Sequence, residues 1–249
     1  MNDSARESSA FVLDCRDFRE SSQLLVLLTE AYGRVEAVAR GSRRAKGSVP
    51  DRFCRIFAVW RPSRKSALAT ISRWELEQSY PAIRSCYLAY LLASLWADSV
   101  LALTAPSAEE RDVFRLSAHL FSSFQSGATR CLPRWEHLRL FWQLLDSLGY
   151  VSGLENCASC IEKRPLHWFS FSVMGPLCER CALGQQDVYP LCELWVRHLG
   201  QAGMRAFALP VDGLIAADFF SFYGAVVERI AEKKLPSEAL LEKALRNAS

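Results

Sequence analysis

Short stretches in which apolar and polar residues alternate dominate the first eighty residues of the chain. A period of two is typical of β-strands, and polar, turn-like segments separate the stretches. The predicted strands span residues 9–15, 23–29, 34–40, 52–60 and 67–76. Five strands without a convincing long helix indicate a small barrel. The OB-fold is the natural candidate, because it is a five-stranded barrel that often binds single-stranded nucleic acid.

Near Tyr80 the pattern changes to the period of α-helices. Residues 83–103 are apolar enough for a buried helix, and Ser107-Ala108-Glu109-Glu110 has the form of a capping box that opens a helix to about residue 124. Further helices are predicted at residues 134–148, 191–199, 212–234 and 236–247. We therefore expect an α+β chain, with a five-stranded OB-fold barrel in residues 1–79 and an all-helical domain in residues 80–249.

Four cysteines stand out within the second half of the chain. Cys157 and Cys160 form one Cys-x-x-Cys pair, Cys178 and Cys181 form another, and residues 161–177 separate them. Two such pairs can supply four thiolates to one tetrahedral ion, which suits Zn²⁺. The alternation at residues 167–172 predicts a strand, and the turn after it would bring the second pair back to the first. We predict a zinc-ribbon-like insertion at about residues 155–184.

Four protein ligands leave no open position on the metal, so the predicted zinc is structural. Disulfides, or a site that has lost its metal, remain alternatives at this stage. His167 is a possible substitute ligand.

Charge is distributed unevenly along the chain. The net charge is only +3, but residues 34–73 contain eleven basic and two acidic residues, a local net charge of +9. This asymmetry indicates that the N-terminal part binds a polyanion. The candidate nucleic-acid contacts lie in the third strand, the glycine-flanked loop after it and the next predicted turn: Arg34, Arg40, Arg43, Arg44, Lys46, Arg64 and Lys65. Phe53, Phe57 and Trp60 could either stack on bases or belong to the barrel core.

Evidence for catalysis is weak. None of the four histidines forms a recognisable pair with a nucleophile, and no phosphate-binding glycine loop is present. We therefore predict no catalytic residues. A zinc-dependent nucleic-acid-processing enzyme is the alternative, but it would need an open coordination position. A protein-interaction scaffold is a third interpretation, and it would leave the basic stretch unexplained.

The sequence also bears on location. The first residues are polar and lack the pattern of a signal peptide. Residues 87–103 are apolar, but Asp98 interrupts them and they are short for a membrane span. The cysteines outside the two pairs are irregularly spaced: Cys15, Cys54, Cys86, Cys131 and Cys192. We interpret them as free thiols, which indicates a reducing cytoplasm. Since residues 87–103 are predicted to be a buried helix, we also expect no membrane partner.

The order of these features resembles the bacterial DNA repair protein RecO family, which comprises recombination mediators. The likeness is strongest in three places. The first is Phe11-Val12-Leu13 with the following Arg16-Asp17-Phe18-Arg19-Glu20-Ser21-Ser22, and the second is Gly33-Arg34-Val35 with Val38-Ala39-Arg40-Gly41. The third is Leu148-Gly149-Tyr150 followed by the two cysteine pairs.

The resemblance implies an OB-fold, a helical domain with a zinc-finger-like module, and binding of single- and double-stranded DNA through basic OB residues. It also implies annealing of complementary strands, and cooperation with RecR to help RecA replace single-strand-binding protein. In some members the acidic tail of single-strand-binding protein binds the helical domain. Two places depart from the family pattern: Pro50-Asp51-Arg52-Phe53, where the loop exits, and the short, mixed segment 242–247.

Overall fold

The structure is a computed structural model that describes residues 4–44, 50–63, 66–125, 133–200 and 209–248. The side chain of Arg44 lies outside this description. The chain divides into two compact units, Met1–Ala128 and Thr129–Ser249.

The first unit contains a closed five-stranded barrel. Its strands are β1 (Arg6–Phe18), β2 (Ser22–Thr29), β3 (Gly33–Ala39), β4 (Arg55–Arg61) and β5 (Ala69–Gln78). The order is β1-β2-β3-β5-β4, and β1 closes the barrel by pairing with both β2 and β4. Only the pair β3–β5 is parallel among the described strands. The predicted OB-type barrel is confirmed.

The barrel interior follows the alternation in the sequence. Val12, Leu25, Leu27 and Ile56 point into one buried cluster, and alanines of β3 and β4 leave room for the large Trp60. Trp60 is 1% exposed and contacts the Tyr32 ring edge-on at 5.4 Å. Phe53 is also 1% exposed. Trp60 therefore belongs to the barrel core, as interpreted. Phe53 instead packs against Tyr90 and Phe121 outside the barrel cluster, and base stacking on either buried ring is excluded.

The described part of the first unit also contains three helices: α1 (Pro81–Ser85), α2 (Tyr87–Leu103) and α3 (Arg111–Ser123). The predicted helix 83–103 is interrupted because Cys86 has an extended backbone. The predicted capping box is wrong, since α3 begins four residues after Ser107. Ser107 instead adopts a left-handed conformation, and its backbone N–H donates to the Arg34 carbonyl at 2.9 Å. A long-range contact thus overrides a local helix-start signal.

The second unit combines helices with a small sheet. Its elements are α4 (Trp135–Ser147), β6 (Leu166–Ser170), β7 (Gly175–Cys178), α5 (Glu179–Ala182), β8 (Val188–Pro190), α6 (Glu193–Gly200), α7 (Gly213–Ala231) and α8 (Glu238–Arg246). The sheet order is β7-β6-β8. The Asp212 carboxylate caps α7 by accepting from the Leu214 backbone N–H at 2.9 Å, as predicted. No helix in the described ranges is long and apolar enough to cross a membrane.

The cysteines outside the two pairs behave differently from one another. Cys15, Cys54 and Cys192 are free thiols, whereas Cys86 is disulfide-bonded, so the prediction of a free thiol is wrong there. Cys131 lies outside the described residues. Burial raises the pKa of Cys54 and, aided by Asp51, raises the pKa of Cys15 to about 11. These two thiols therefore stay protonated and unreactive at neutral pH.

Candidate metal centre and nucleic-acid interface

The two cysteine pairs converge on one point in the second unit. Cys157 and Cys160 lie in the turn before β6, Cys178 ends β7, and Cys181 lies in α5. Their four Sγ atoms all lie within 4.8 Å of one another. The predicted cluster is confirmed as a group that could hold a metal ion.

Backbone hydrogen bonds hold the first pair in a tight turn. The Ile161 N–H donates to the Cys157 carbonyl at 2.8 Å, and Ile161 itself has a left-handed φ of 63°. The Ala158 N–H reaches the Pro176 carbonyl at 2.8 Å, which fastens this turn to β7. Gly175 permits the close approach, because a Cβ there would lie 2.6 Å from the Ala158 Cβ. The hairpin geometry thus brings the two pairs together.

The same backbone prepares one sulfur for metal binding. Burial opposes ionisation of Cys157, but backbone N–H groups of Cys160, Cys178 and Ser159 outweigh it and lower the pKa of Cys157 to about 6. Burial and hydrogen bonds with the neighbouring cysteine sulfurs raise the pKa of Cys181. Backbone N–H groups thus favour the thiolate of Cys157, which is the form that binds a metal ion. A bound cation would likewise favour the thiolate form of its ligands.

Two of the predicted basic contacts lie at one end of the barrel. Arg40 follows the last residue of β3 and is exposed, and Arg43 lies in a short 3-10 helix, Ser42–Arg44. The Arg43 guanidinium pairs with exposed Asp17 at 3.1 Å, and its backbone N–H donates to Ser21 in the β1–β2 turn. The Arg44 side chain and Lys46, Arg64 and Lys65 lie outside the described residues.

Arg34 lies at the opposite end of β3 and has a different environment. Its Nη1 donates to the Leu101 carbonyl at 2.6 Å, in the last turn of α2. A guanidinium at this position also compensates the negative end of the helix dipole. The structure therefore separates Arg34 from Arg40 and Arg43, although the three residues lie close together in the sequence.

We predict that Arg34→Met lowers the free energy of unfolding by about 1.5–3 kcal/mol, because it removes a charged hydrogen bond to a partly buried carbonyl. Urea denaturation would measure this change. Arg40→Met at the exposed end of the same strand is the control and should change stability little. If Arg34→Met instead weakened DNA binding at unchanged stability, a direct DNA contact by Arg34 would be the better interpretation.

Two exposed arginines that were not among the predicted contacts lie near the β1–β2 turn. Arg16 is exposed near the end of β1 and pairs with Asp14 at 2.7 Å, and Arg19 is exposed in the β1–β2 turn. OB-folds use the β1–β2 and β4–β5 loops beside their binding face. The sequence signal for Arg19 is its position between two predicted strands. Its acidic neighbours, Asp17 and Glu20, are also typical of an exposed turn with ion pairs.

Together these features define a class: an OB-type barrel protein with a helical second unit that carries a four-cysteine cluster. Family models refine that class. The model described as "Recombination protein O N terminal" matches residues 1–80, and "Recombination protein O C terminal" matches residues 84–194. The chain belongs to the recombination protein O family of DNA repair proteins.

Several curated proteins that are similar to this chain share one name. The chain is 26% identical to the "DNA repair protein RecO" of Symbiobacterium thermophilum over 251 residues, covering 95% of this chain and 96% of that one. It is 26% identical to the protein of the same name from Caldanaerobacter subterraneus subsp. tengcongensis over 183 residues, 70% of each chain. The protein of that name from Geobacter metallireducens is 29% identical over 157 residues, 61% of this chain and 62% of that one.

Proposed function

We propose that this chain is a non-enzymatic recombination mediator that binds single- and double-stranded DNA and anneals complementary strands. The observation that carries the proposal is the pair of exposed arginines, Arg40 and Arg43, at one end of an OB-type barrel. These two residues belong to a stretch with a net charge of +9. Guanidinium groups at such a surface bind phosphates without regard to base sequence.

The proposed mechanism is electrostatic. Two complementary strands repel each other through their phosphates, and a basic surface that binds both lowers this repulsion. Pairing of the bases then needs no bond to be made or broken. Arg44, Lys46, Arg64 and Lys65 remain predicted contacts that would extend the same surface. Arg34 remains a predicted contact at the opposite end of β3.

We propose Zn²⁺ as the ion of the four-cysteine cluster. At a Zn–S distance of about 2.3 Å, tetrahedral geometry places the sulfurs about 3.8 Å apart, and the observed upper limit of 4.8 Å needs only small movements. Cys157, Cys160, Cys178 and Cys181 would fill all four positions. The ion would therefore hold the β6–β7 hairpin and α5 together rather than activate water, which disfavours a zinc-dependent nuclease or related enzyme.

The family membership supports further proposals about partners. We propose that the chain works with RecR to help RecA replace single-strand-binding protein, and that the helical domain binds the acidic tail of that protein. We propose that the DNA-binding barrel domain ends near residue 80, between the regions that the two family models match, and that residues 81–128 complete the compact unit around it. A nucleoid-associated location in the cytoplasm follows from this proposed role.

The double variant Arg40→Glu with Arg43→Glu should weaken binding to all DNA sequences about equally. The loss should be about tenfold or more, because two charged groups that bind phosphates are reversed. The salt dependence should also decrease, by roughly 0.7 in log–log slope for each phosphate that the variant no longer neutralises on single strands. Fluorescence anisotropy of labelled oligonucleotides across a salt series measures both effects, and annealing can be followed in the same samples.

Arg115→Glu is the matched control, since Arg115 is an exposed arginine of the same unit that pairs with Asp112 at 3.4 Å. This variant should bind DNA as the wild type does. A loss confined to particular sequences would contradict backbone recognition. Cleavage of the labelled DNA would contradict the non-enzymatic role.

A further inference from the structure

Two tyrosines are exposed at the start of an otherwise buried helix. Tyr87 is 63% exposed and Tyr90 is 38% exposed, whereas every residue from 91 to 97 is buried. Their spacing of three residues places the two rings side by side on one face of α2. Large exposed rings at adjoining positions are typical of surfaces that bind another molecule.

Two arginines lie beside Phe53, the residue that the Tyr90 ring contacts. The Tyr90 ring contacts the buried Phe53 ring edge-on at 5.4 Å, and the Arg52 guanidinium lies 4.8 Å from the centre of the same Phe53 ring. Arg84 donates to the Arg52 carbonyl at 2.9 Å. Phe53 adopts a left-handed φ of 64°, which is unfavourable for a residue with a side chain and is seen preferentially at functional sites. We name Tyr87 and Tyr90 the tyrosine patch.

The tyrosine patch is linked to the basic end of the barrel through residues 50 and 51. The Pro50 carbonyl accepts from the Gln23 side chain at 3.4 Å, and Gln23 pairs with the last residue of β3, just before Arg40. Asp51 pairs with Arg84 at 3.0 Å, three residues before Tyr87. One short single strand held by Arg43 could therefore reach the tyrosines.

Charge indicates what the tyrosine patch would bind. Arg84 pairs with Asp51 at 3.0 Å, and Arg52 approaches Asp98 at 3.9 Å, so the surroundings of the rings add little net positive charge. Phosphates would be bound mainly at the basic end, leaving the rings to contact bases. Aromatic side chains stack on every base type, but only where the base is not already stacked within a duplex.

We propose that Tyr87 and Tyr90 form a stacking platform for unpaired bases, which adds single-strand preference to a surface that otherwise recognises phosphates. The proposal rests on the proposed DNA-binding function. In this proposal Arg40 and Arg43 contact both single-stranded and duplex DNA, whereas the tyrosine patch contacts single-stranded DNA alone.

Tyr87→Ala is the decisive variant, because the exposed ring contributes little to folding. Its dissociation constant for a labelled oligothymidylate should rise about fivefold or more, the usual effect of losing one stacked base. Binding to a blunt duplex and the salt slope on single strands should stay unchanged. Tyr87→Trp should bind the oligothymidylate at least as tightly as the wild type. Leu240→Ala, an exposed apolar position in the second unit, is the control and should bind both as the wild type does.

The possible outcomes separate the two proposals. Wild-type protein that binds the oligothymidylate tightly, with Tyr87→Ala binding equally well, would overturn the stacking platform and leave the DNA-binding function standing. Equal losses on single strands and duplex would also overturn the platform. Wild-type protein that binds neither DNA would overturn both proposals. If Tyr87→Ala retained DNA binding but lost a protein partner that binds the wild type, the tyrosine patch would be a protein interface instead.

Discussion

Replacing Cys157 with serine should unfold the metal module and lower the free energy of unfolding of the second unit by more than about 4 kcal/mol. The cluster has four sulfurs, and neither His167 nor any other residue in the described ranges joins it, so the loss of one sulfur removes the ion's preferred coordination. Structural zinc contributes about 10–16 kcal/mol of binding free energy in small domains, and most of that free energy stabilises the fold. The buried Cys157 sulfur also accepts the Cys178 N–H, which links the first turn to β7.

Hydrogen exchange with mass spectrometry, together with zinc analysis of the purified protein, would measure this effect. Protection should fall in β6, β7 and α5, and a chelator should cause the same loss in the wild-type protein. The barrel should stay protected because it has its own buried cluster, so DNA binding should weaken less than stability. Cys192→Ser, at a free thiol outside the cluster, is the control. A wild-type protein whose melting stays unchanged after metal removal would contradict a structural ion.

The sequence predicted those features that depend on short, regular spacing. The five strands were recognisable because β-pairing leaves a period of two, and the cysteine cluster was recognisable because a metal site needs pairs at fixed separations. The strand limits were less accurate. β1 runs from Arg6 to Phe18, beyond the predicted 9–15, because it pairs with two neighbours and continues past an irregularity near Val12.

Features that depend on distant residues could not be predicted in the same way. Ser107 has a good local helix-start sequence, but pairing with the Arg34 backbone takes it out of the helix. Arg34 and Arg40 look equivalent in the sequence, since both belong to one basic stretch. Only the position of the α2 end shows that Arg34 donates to a carbonyl while Arg40 faces solvent. The tyrosine patch was missed for the same reason, because α2 reads as uniformly apolar.

Gly33→Ala should lower the free energy of unfolding of the first unit by about 2–5 kcal/mol, from two separable causes. Gly33 has a φ of +62°, and a left-handed residue with a side chain costs about 1–2 kcal/mol. In addition, an added Cβ would lie 2.6 Å from the Ala108 carbonyl carbon and nearer still to its oxygen. Relieving that overlap must move the β2–β3 hairpin or the loop before α3, at about 1–3 kcal/mol.

A second glycine isolates the contribution of the close approach. Gly41 has a similar φ of +69°, but a Cβ there would meet no atom of the described residues within 4 Å. Gly41→Ala should therefore show only the conformational cost, about 1–2 kcal/mol. Urea denaturation of both variants gives the cost of the Ala108 overlap as their difference. Equal losses of stability in the two variants would mean that the loop before α3 moves away from the added Cβ at no measurable cost. A larger loss for Gly33→Ala would establish that this loop is held against the hairpin, which keeps the Arg34 carbonyl in reach of Ser107 and its guanidinium in reach of α2.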